Sequence, residues 1–167
     1  MITYLIGALL ISLLSIMVIK TMVKQRRHKK KHSDIAKAYD RLTREFKLAV
    51  EYSDFINYRY IGLDRRNKKL IIINHCGDQK EELCVPLSEI GDSKIIRETD
   101  ESQYIKTILL EFRNKRNNQP VRFCFYNRKV DPVLELPSLS RKAIHWKTKV
   151  DIHKHPGSVS LEAEYVL

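Results

Sequence analysis

One unbroken apolar run and two hydrophobic periods divide this chain. Residues 2–19 (ITYLIGALLISLLSIMVI) carry no charged side chain, and the next twelve positions hold Lys20, Lys24, Arg26, Arg27, Lys29, Lys30 and Lys31. As a helix rising about 1.5 Å per residue the run covers about 27 Å, close to the roughly 30 Å hydrocarbon thickness of a bilayer. From Ser33 to Val50 the positions Ile35, Tyr39, Leu42, Phe46 and Ala49 fall on one stripe of an α-helix, with Ser33 or Asp34 placed to cap it. Beyond Glu51 the period changes. β-branched and aromatic runs punctuated by turn residues predict strands over 58–63, 69–74, 82–87, 93–99, 104–113 and 121–126. Residues 133–136 predict one more short extended piece, and Pro137-Ser138 then open a helix to about Val150, with the stripe Leu139, Ala143, Trp146 and Val150.

Within the strands the pattern also assigns faces. KLIIIN at 69–74 is almost continuously apolar, the mark of a central strand; Ile108, Leu110 and Phe112 alternate with Thr107, Leu109 and Glu111; Phe123 and Phe125 share one side. The single Trp, on the last helix, is placed to seal an open end of a curved sheet. The expected class is therefore α+β: a transmembrane anchor over 1–23, a basic stretch over 24–32, an amphipathic helix over 33–50, a β domain with its C-terminal helix over 51–155, and a tail over 156–167.

A secretory signal peptide places positive charge before its apolar run and a small-residue cleavage site after it, whereas here the charges follow and no such site does. Lys and Arg beside a span hold that flank in the cytoplasm, so the expected topology is single-pass in a bacterial inner membrane, N-terminus out and C-terminus in. The charge distribution agrees. Of the net +11, residues 1–33 contribute seven cations and no acid, leaving 24 basic against 20 acidic side chains elsewhere. The seven juxtamembrane cations are expected to contact the anionic inner leaflet. Nucleic-acid binding is the rival use of such a run, but a topogenic signal already accounts for these charges at this place.

Cys76, Cys84 and Cys124 form no disulfide framework and no C-x-x-C; Cys84 and Cys124 fall in strands as small apolar fillers. The sequence lacks G-x-S-x-G, H-E-x-x-H and the phosphate-binding P-loop pattern, and the acid pairs Glu81-Glu82 and Asp100-Glu101 fall in loops. His145, His153 and His155 have no Cys or carboxylate at ligand spacing. No enzymatic activity, metal or cofactor is expected.

Short antiparallel strands followed by one amphipathic helix carrying a Trp resemble the pleckstrin-homology (PH) superfold, a β-sandwich or split barrel capped by a C-terminal helix. More narrowly, the chain resembles small bacterial PH-like proteins that stand behind a transmembrane helix. The resemblance lies in Tyr60-Ile61-Gly62-Leu63-Asp64 leading to Asn67-Lys68-Lys69-Leu70, in Val85-Pro86-Leu87-Ser88-Glu89-Ile90, and in Ala143 with Trp146. It covers roughly 55–152 and implies a non-enzymatic binding platform for lipid headgroups, peptides or proteins. In PH domains that bind phosphoinositides, basic side chains of the first hairpin hold the phosphates. The resemblance thus implies headgroup contact for Arg65, Arg66, Lys68 and Lys69, joined by Lys115 and Arg116 if both turns face the bilayer. A protein partner is the other expected ligand, met in a groove between a sheet edge and the C-terminal helix. The alternative expectation is a structural subunit that self-associates, or joins a membrane assembly, through the 33–50 helix.

Overall fold

The structure, a computed structural model, describes residues 17–22, 33–76 and 79–154, and divides into two compact units, 1–37 and 38–167. In the first unit residues 17–22 are helical, with Met17, Val18, Ile19 and Met22 all at least half exposed. Thr21 turns its hydroxyl back onto the carbonyl oxygens of Met17 (3.0 Å) and Val18 (2.8 Å). Such bonding to the carbonyls three and four residues back satisfies the hydroxyl within its own helix. No helix among the described residues is long and apolar enough to cross a membrane. Most of the expected span (1–16 and 23), the basic stretch 24–32 and the tail lie outside the described residues.

Residues 33–46 are helical (α1), and the part from Ala38 onward belongs to the second unit. Seven strands follow: β1 Tyr52–Ile56, β2 Arg59–Asp64, β3 Lys69–Cys76, β4 Gln79–Pro86, β5 Ile90–Thr99, β6 Ile105–Asn114 and β7 Pro120–Asn127, and then α2 Leu136–His153. They form two antiparallel sheets, β1-β2-β3-β4 and β5-β6-β7. Ile61, Leu63, Leu70 and Ile72 of the first sheet meet Ile108, Leu110, Phe112, Phe123 and Phe125 of the second in one core. Leu139, Ala143, Trp146 and Val150 of α2 complete that core, the stripe expected from the sequence.

β3 is central and buried on both faces. Ile71 and Ile73, as buried as Leu70 and Ile72, share their face with Tyr60 and Gly62 of β2. Over this second face lies α1, with Ala38 and Leu42 buried, Tyr39 edge-on to Tyr60 (5.0 Å between rings) and Phe46 under the Lys69 ammonium (5.2 Å). Gly62 is needed here because the Tyr60 ring lies where its Cβ would be, within 2.9 Å. In β7 the register slips from Ile108↔Tyr126 to Leu109↔Cys124, a bulge at Phe125 that lets Phe123, Phe125 and Tyr126 all enter the core.

Three expected boundaries are corrected. An additional strand, Tyr52–Ile56, precedes the one expected to be first, and the polar Ser53 and Asp54 hide its alternation. Residues 133–135 form a 3-10 turn rather than a strand: Glu135 N–H bonds back to Pro132 O (3.0 Å) and the chain coils directly into α2. α1 ends at residue 46 rather than Val50. Lys47 turns left-handed (φ 50°), and its N–H and that of Leu48 bond back to Arg44 O (3.4 Å) and Thr43 O (3.0 Å) in a Schellman closure.

The C-terminal end of α1 is tied to the β2–β3 turn by Asp64, which is wholly buried. Its carboxylate accepts bonds from Ala49 N–H (2.7 Å), Asn67 N–H (2.8 Å) and Asn67 Nδ2 (2.8 Å). Burial opposes the charge, but these bonds outweigh it and hold the Asp64 carboxyl below the usual range. The folded pKa is depressed, so this contribution to stability is present above the ordinary carboxylate pKa and is lost as pH falls through the folded value.

Candidate functional site

Backbone hydrogen bonds sort the connections between strands to two ends of the second unit. Leu87 N–H reaches Lys68 O (2.8 Å) and Lys115 N–H reaches Glu89 O (2.7 Å), so the β2–β3, β4–β5 and β6–β7 connections share one end. Asn57 and Arg59 in and beside the β1–β2 turn bond Asp131, and Arg128 N–H bonds Lys106 O (2.9 Å). These contacts gather the β1–β2 turn, the β5–β6 turn and the β7–α2 connection at the other end.

The first end carries the six basic residues expected to meet a lipid headgroup. They lie on the second hairpin and the β6–β7 turn, because the extra strand β1 displaces the basic turn from first place. The structure brings the two turns together on either side of the Leu87–Glu89 turn, but engages half of the charges internally. Arg65 donates to Tyr52 Oη (3.2 Å) and pairs with Glu51 (3.7 Å); Lys69 stands over Phe46; Arg116 pairs with Glu89 (3.0 Å). Arg66, Lys68 and Lys115 are exposed. Of the seven juxtamembrane cations only Lys20 is described, exposed in the 17–22 helix; Lys24, Arg26, Arg27, Lys29, Lys30 and Lys31 lie outside the described residues. Trp146 is buried in α2, its Nε1–H donating to Asp54 Oδ2 (2.7 Å), while Lys142 pairs with the same carboxylate.

A trough runs along the outer edges of β4 and β7, neither of which has a further strand beside it in its sheet among the described residues. One hollow, of about 330 Å³, is lined by Leu83, Val85, Val121 and residues of the β6–β7 turn. A second, of about 600 Å³, is lined by Asn74, Lys80, Leu109, Arg122, Cys124 and Asn127 among others, and the two share Glu81 and Pro120. The polar lining is largely self-satisfied. Thr107 donates to Glu98 (2.6 Å), and Arg122 donates to Glu111 (2.7 Å), which Lys94 flanks on its other side (3.0 Å). The bond from Arg122 chiefly, with help from Lys94 and against burial, holds the Glu111 carboxyl below its usual range. Burial pushes the Glu81 carboxyl up, against the hydrogen bond from Asn74. Asn74 Oδ1 is buried and meets no donor among the described residues.

Cys124 sits at the wall of this trough, fully buried. Arg59 Nη1–H donates to its sulfur (3.3 Å), and the thiol donates to Tyr126 O (3.3 Å). Arg59 and Asp131 were not legible as a site. Both are almost completely buried, Arg59 Nη2 donates to both Asp131 oxygens (2.6 and 2.7 Å), and Asn127 N–H (2.6 Å) and Asn57 Nδ2 bond the same carboxylate. Burial works most strongly against the charged guanidinium, and the bond to Asp131 together with the Asp131 charge and the Cys124 sulfur more than offsets it. The pair fastens β2 of one sheet to the segment leaving the other. Cys84, in β4, is half-buried, and burial pushes its thiol up, away from the reactive thiolate.

The groove expected between a sheet edge and the C-terminal helix is closed at one end of β5. Ser93 donates to Asp151 (2.5 Å) and Lys154 Nζ donates to Gly91 O (2.9 Å), so α2 grips the start of that strand.

Taken together, the molecule is an α+β module of two antiparallel sheets, four strands and three, with a C-terminal helix and a polar trough along two sheet edges. Comparison with protein-family models, with curated proteins and with solved structures finds no match to this chain.

Proposed function

We propose that this chain is a membrane-anchored, non-enzymatic binding module of PH-like architecture that faces the cytoplasm and recruits a protein partner. Its ligand is an extended peptide segment, which adds as a strand along the trough beside β4 and β7. The observation that carries this reading is that two sheet edges, each without a further strand among the described residues, border one trough. Main-chain bonds to an exposed edge supply affinity, and alternate side chains of the added strand drop into pockets for specificity. The half-buried Leu83, Leu109 and Val121 offer the apolar contacts, and the orphan Asn74 Oδ1 offers an acceptor for a peptide donor. Pro86 and Pro120 stand at one end of each edge, where a missing N–H stops strand pairing and confines addition to the middle of β4 and β7.

Headgroup binding by the basic turns is less favoured, because three of the six side chains already have internal partners. Association through the 33–50 helix is also less favoured. From Ala38 onward its stripe is covered by the sheet beneath it.

The test is selection of unphosphorylated peptides from a displayed library against the full chain in lipid nanodiscs. Leu83→Arg and Val121→Arg are expected to weaken the selected peptides at least about tenfold, roughly 1.4 kcal/mol, while Arg66→Ala leaves them unchanged. Peptides that ignore both trough substitutions and lose binding with Arg66→Ala would move the site to the basic end.

A further inference from the structure

Six large apolar side chains stand exposed in the second unit among the described residues: Phe55, Tyr104, Val130, Val133, Leu134 and Ile144. Their distribution is uneven. Val130, Val133 and Leu134 lie on the β7–α2 connection and Tyr104 on the β5–β6 turn, all at one end, while the end bearing the basic turns has none. Leu134 is 94% exposed and Tyr104 63%. Lone exposed leucines are ordinary; several apolar side chains gathered on one tip are not.

This tip is held rigidly. Val130 and Asp131 donate their N–H groups to Asn127 O (2.9 and 2.8 Å), Lys129 N–H bonds Asn127 Oδ1 (3.0 Å), and Glu135 N–H bonds Pro132 O (3.0 Å). Asp131, between the exposed valines, is the buried anchor seized by Arg59, Asn57 and Asn127. The ion pair therefore fixes a loop whose neighbouring apolar side chains point away from the core. Such a display loses little conformational freedom when it is buried against something else.

We infer that this tip is an interfacial membrane-contact surface, with Val133 and Leu134 seated in the headgroup–acyl boundary of the bilayer and Tyr104 at headgroup depth. The inference rests on the membrane-anchor reading of residues 1–23. Two observations favour a lipid surface over a protein. Tyr104, with Arg128 against its ring (5.1 Å), is the amphipathic type that collects at membrane interfaces; Arg128 is itself paired with Asp100 (2.6 Å), and the exposed Lys106 and Lys129 are left for phosphate contact. The chain also enters the second unit near this end. Tyr39 and Arg41 meet Tyr60 and Glu82, and α1 then runs to Lys47 and Ala49 beside Asn67 and Asp64 at the opposite end. Only nine residues separate the expected span from the first turn of α1, a reach of at most about 32 Å even when extended.

The experiment uses the full chain reconstituted in liposomes of phosphatidylcholine and phosphatidylglycerol, with part of the lipid brominated on the upper acyl chain. Trp146 is buried and gives a constant background in every sample. Leu134→Trp is expected to add fluorescence that brominated lipid quenches more than roughly twofold, as for a side chain in the interface. Arg66→Trp, at the other end, is expected to add fluorescence that stays unquenched. Met17→Trp tests the anchor separately. Quenching at residue 17 without quenching at residue 134 overturns the inference and leaves the anchor standing; quenching at neither removes the anchor and the inference with it. A Trp at 134 shielded from both brominated lipid and aqueous iodide means that a second copy or a partner protein covers the tip, which also overturns it.

Discussion

Asp131→Ala is expected to destabilise the β domain by about 3–5 kcal/mol, the cost of leaving a buried guanidinium without its counter-charge. Arg59 is 1% exposed, and without Asp131 its remaining bonds go to Ile56 O (3.2 Å) and the weakly accepting sulfur of Cys124. The same substitution strands Asn127 N–H and releases the segment that leads into α2. Urea denaturation of the full chain in detergent micelles, followed by Trp146 fluorescence, gives the loss directly. The paired replacement Arg59→Met with Asp131→Leu is expected to recover only part of it, because it removes the unpaired charge but still leaves Asn127 N–H without its acceptor. A loss below about 1 kcal/mol in the single variant would show that the pair is solvated in practice.

The second large effect is at Trp146. Trp146→Ala is expected to cost about 3–5 kcal/mol, combining lost transfer free energy with a cavity among Leu139, Ala143, Val150 and the strands beneath. Trp146→Phe separates the parts. It retains most of the apolar volume but removes the Nε1–H bond to Asp54, expected to cost about 1–3 kcal/mol since that carboxylate keeps only Lys142. Far-UV circular dichroism in urea measures both variants, neither of which retains the fluorophore. Near-equality of the two losses would mean that the hydrogen bond, and not the packing, dominates at this helix.

The elements that were legible in the sequence are those whose own side chains carry the period. β3 reads as central because Leu70–Ile73 are apolar without interruption, and the structure buries both of its faces. The stripe of α2 reads correctly because Leu139, Ala143, Trp146 and Val150 fall at helical spacing and all four are buried. β1 was not legible. Its Ser53 and Asp54 look like a loop, and only the pairing with β2 and the bond from Trp146 explain them. The Arg59–Asp131 pair escapes for the same reason: two charged residues 72 apart in sequence announce nothing until two sheets fold over them. The trough is a tertiary object as well, since its two edges, β4 and β7, belong to different sheets. The basic turn, by contrast, stands out in the sequence, yet folding engages three of the six cations read as its site.

Strand addition at the trough is measured most directly by amide hydrogen exchange on the full chain in nanodiscs. With a selected peptide bound, exchange is expected to slow at least about tenfold within β4 and β7, at the outward amides of 81–85 and 121–126, and to stay unchanged at 64–69 and 114–119. Protection confined to those two basic turns, or absent from both edge strands with the peptide bound, would contradict it.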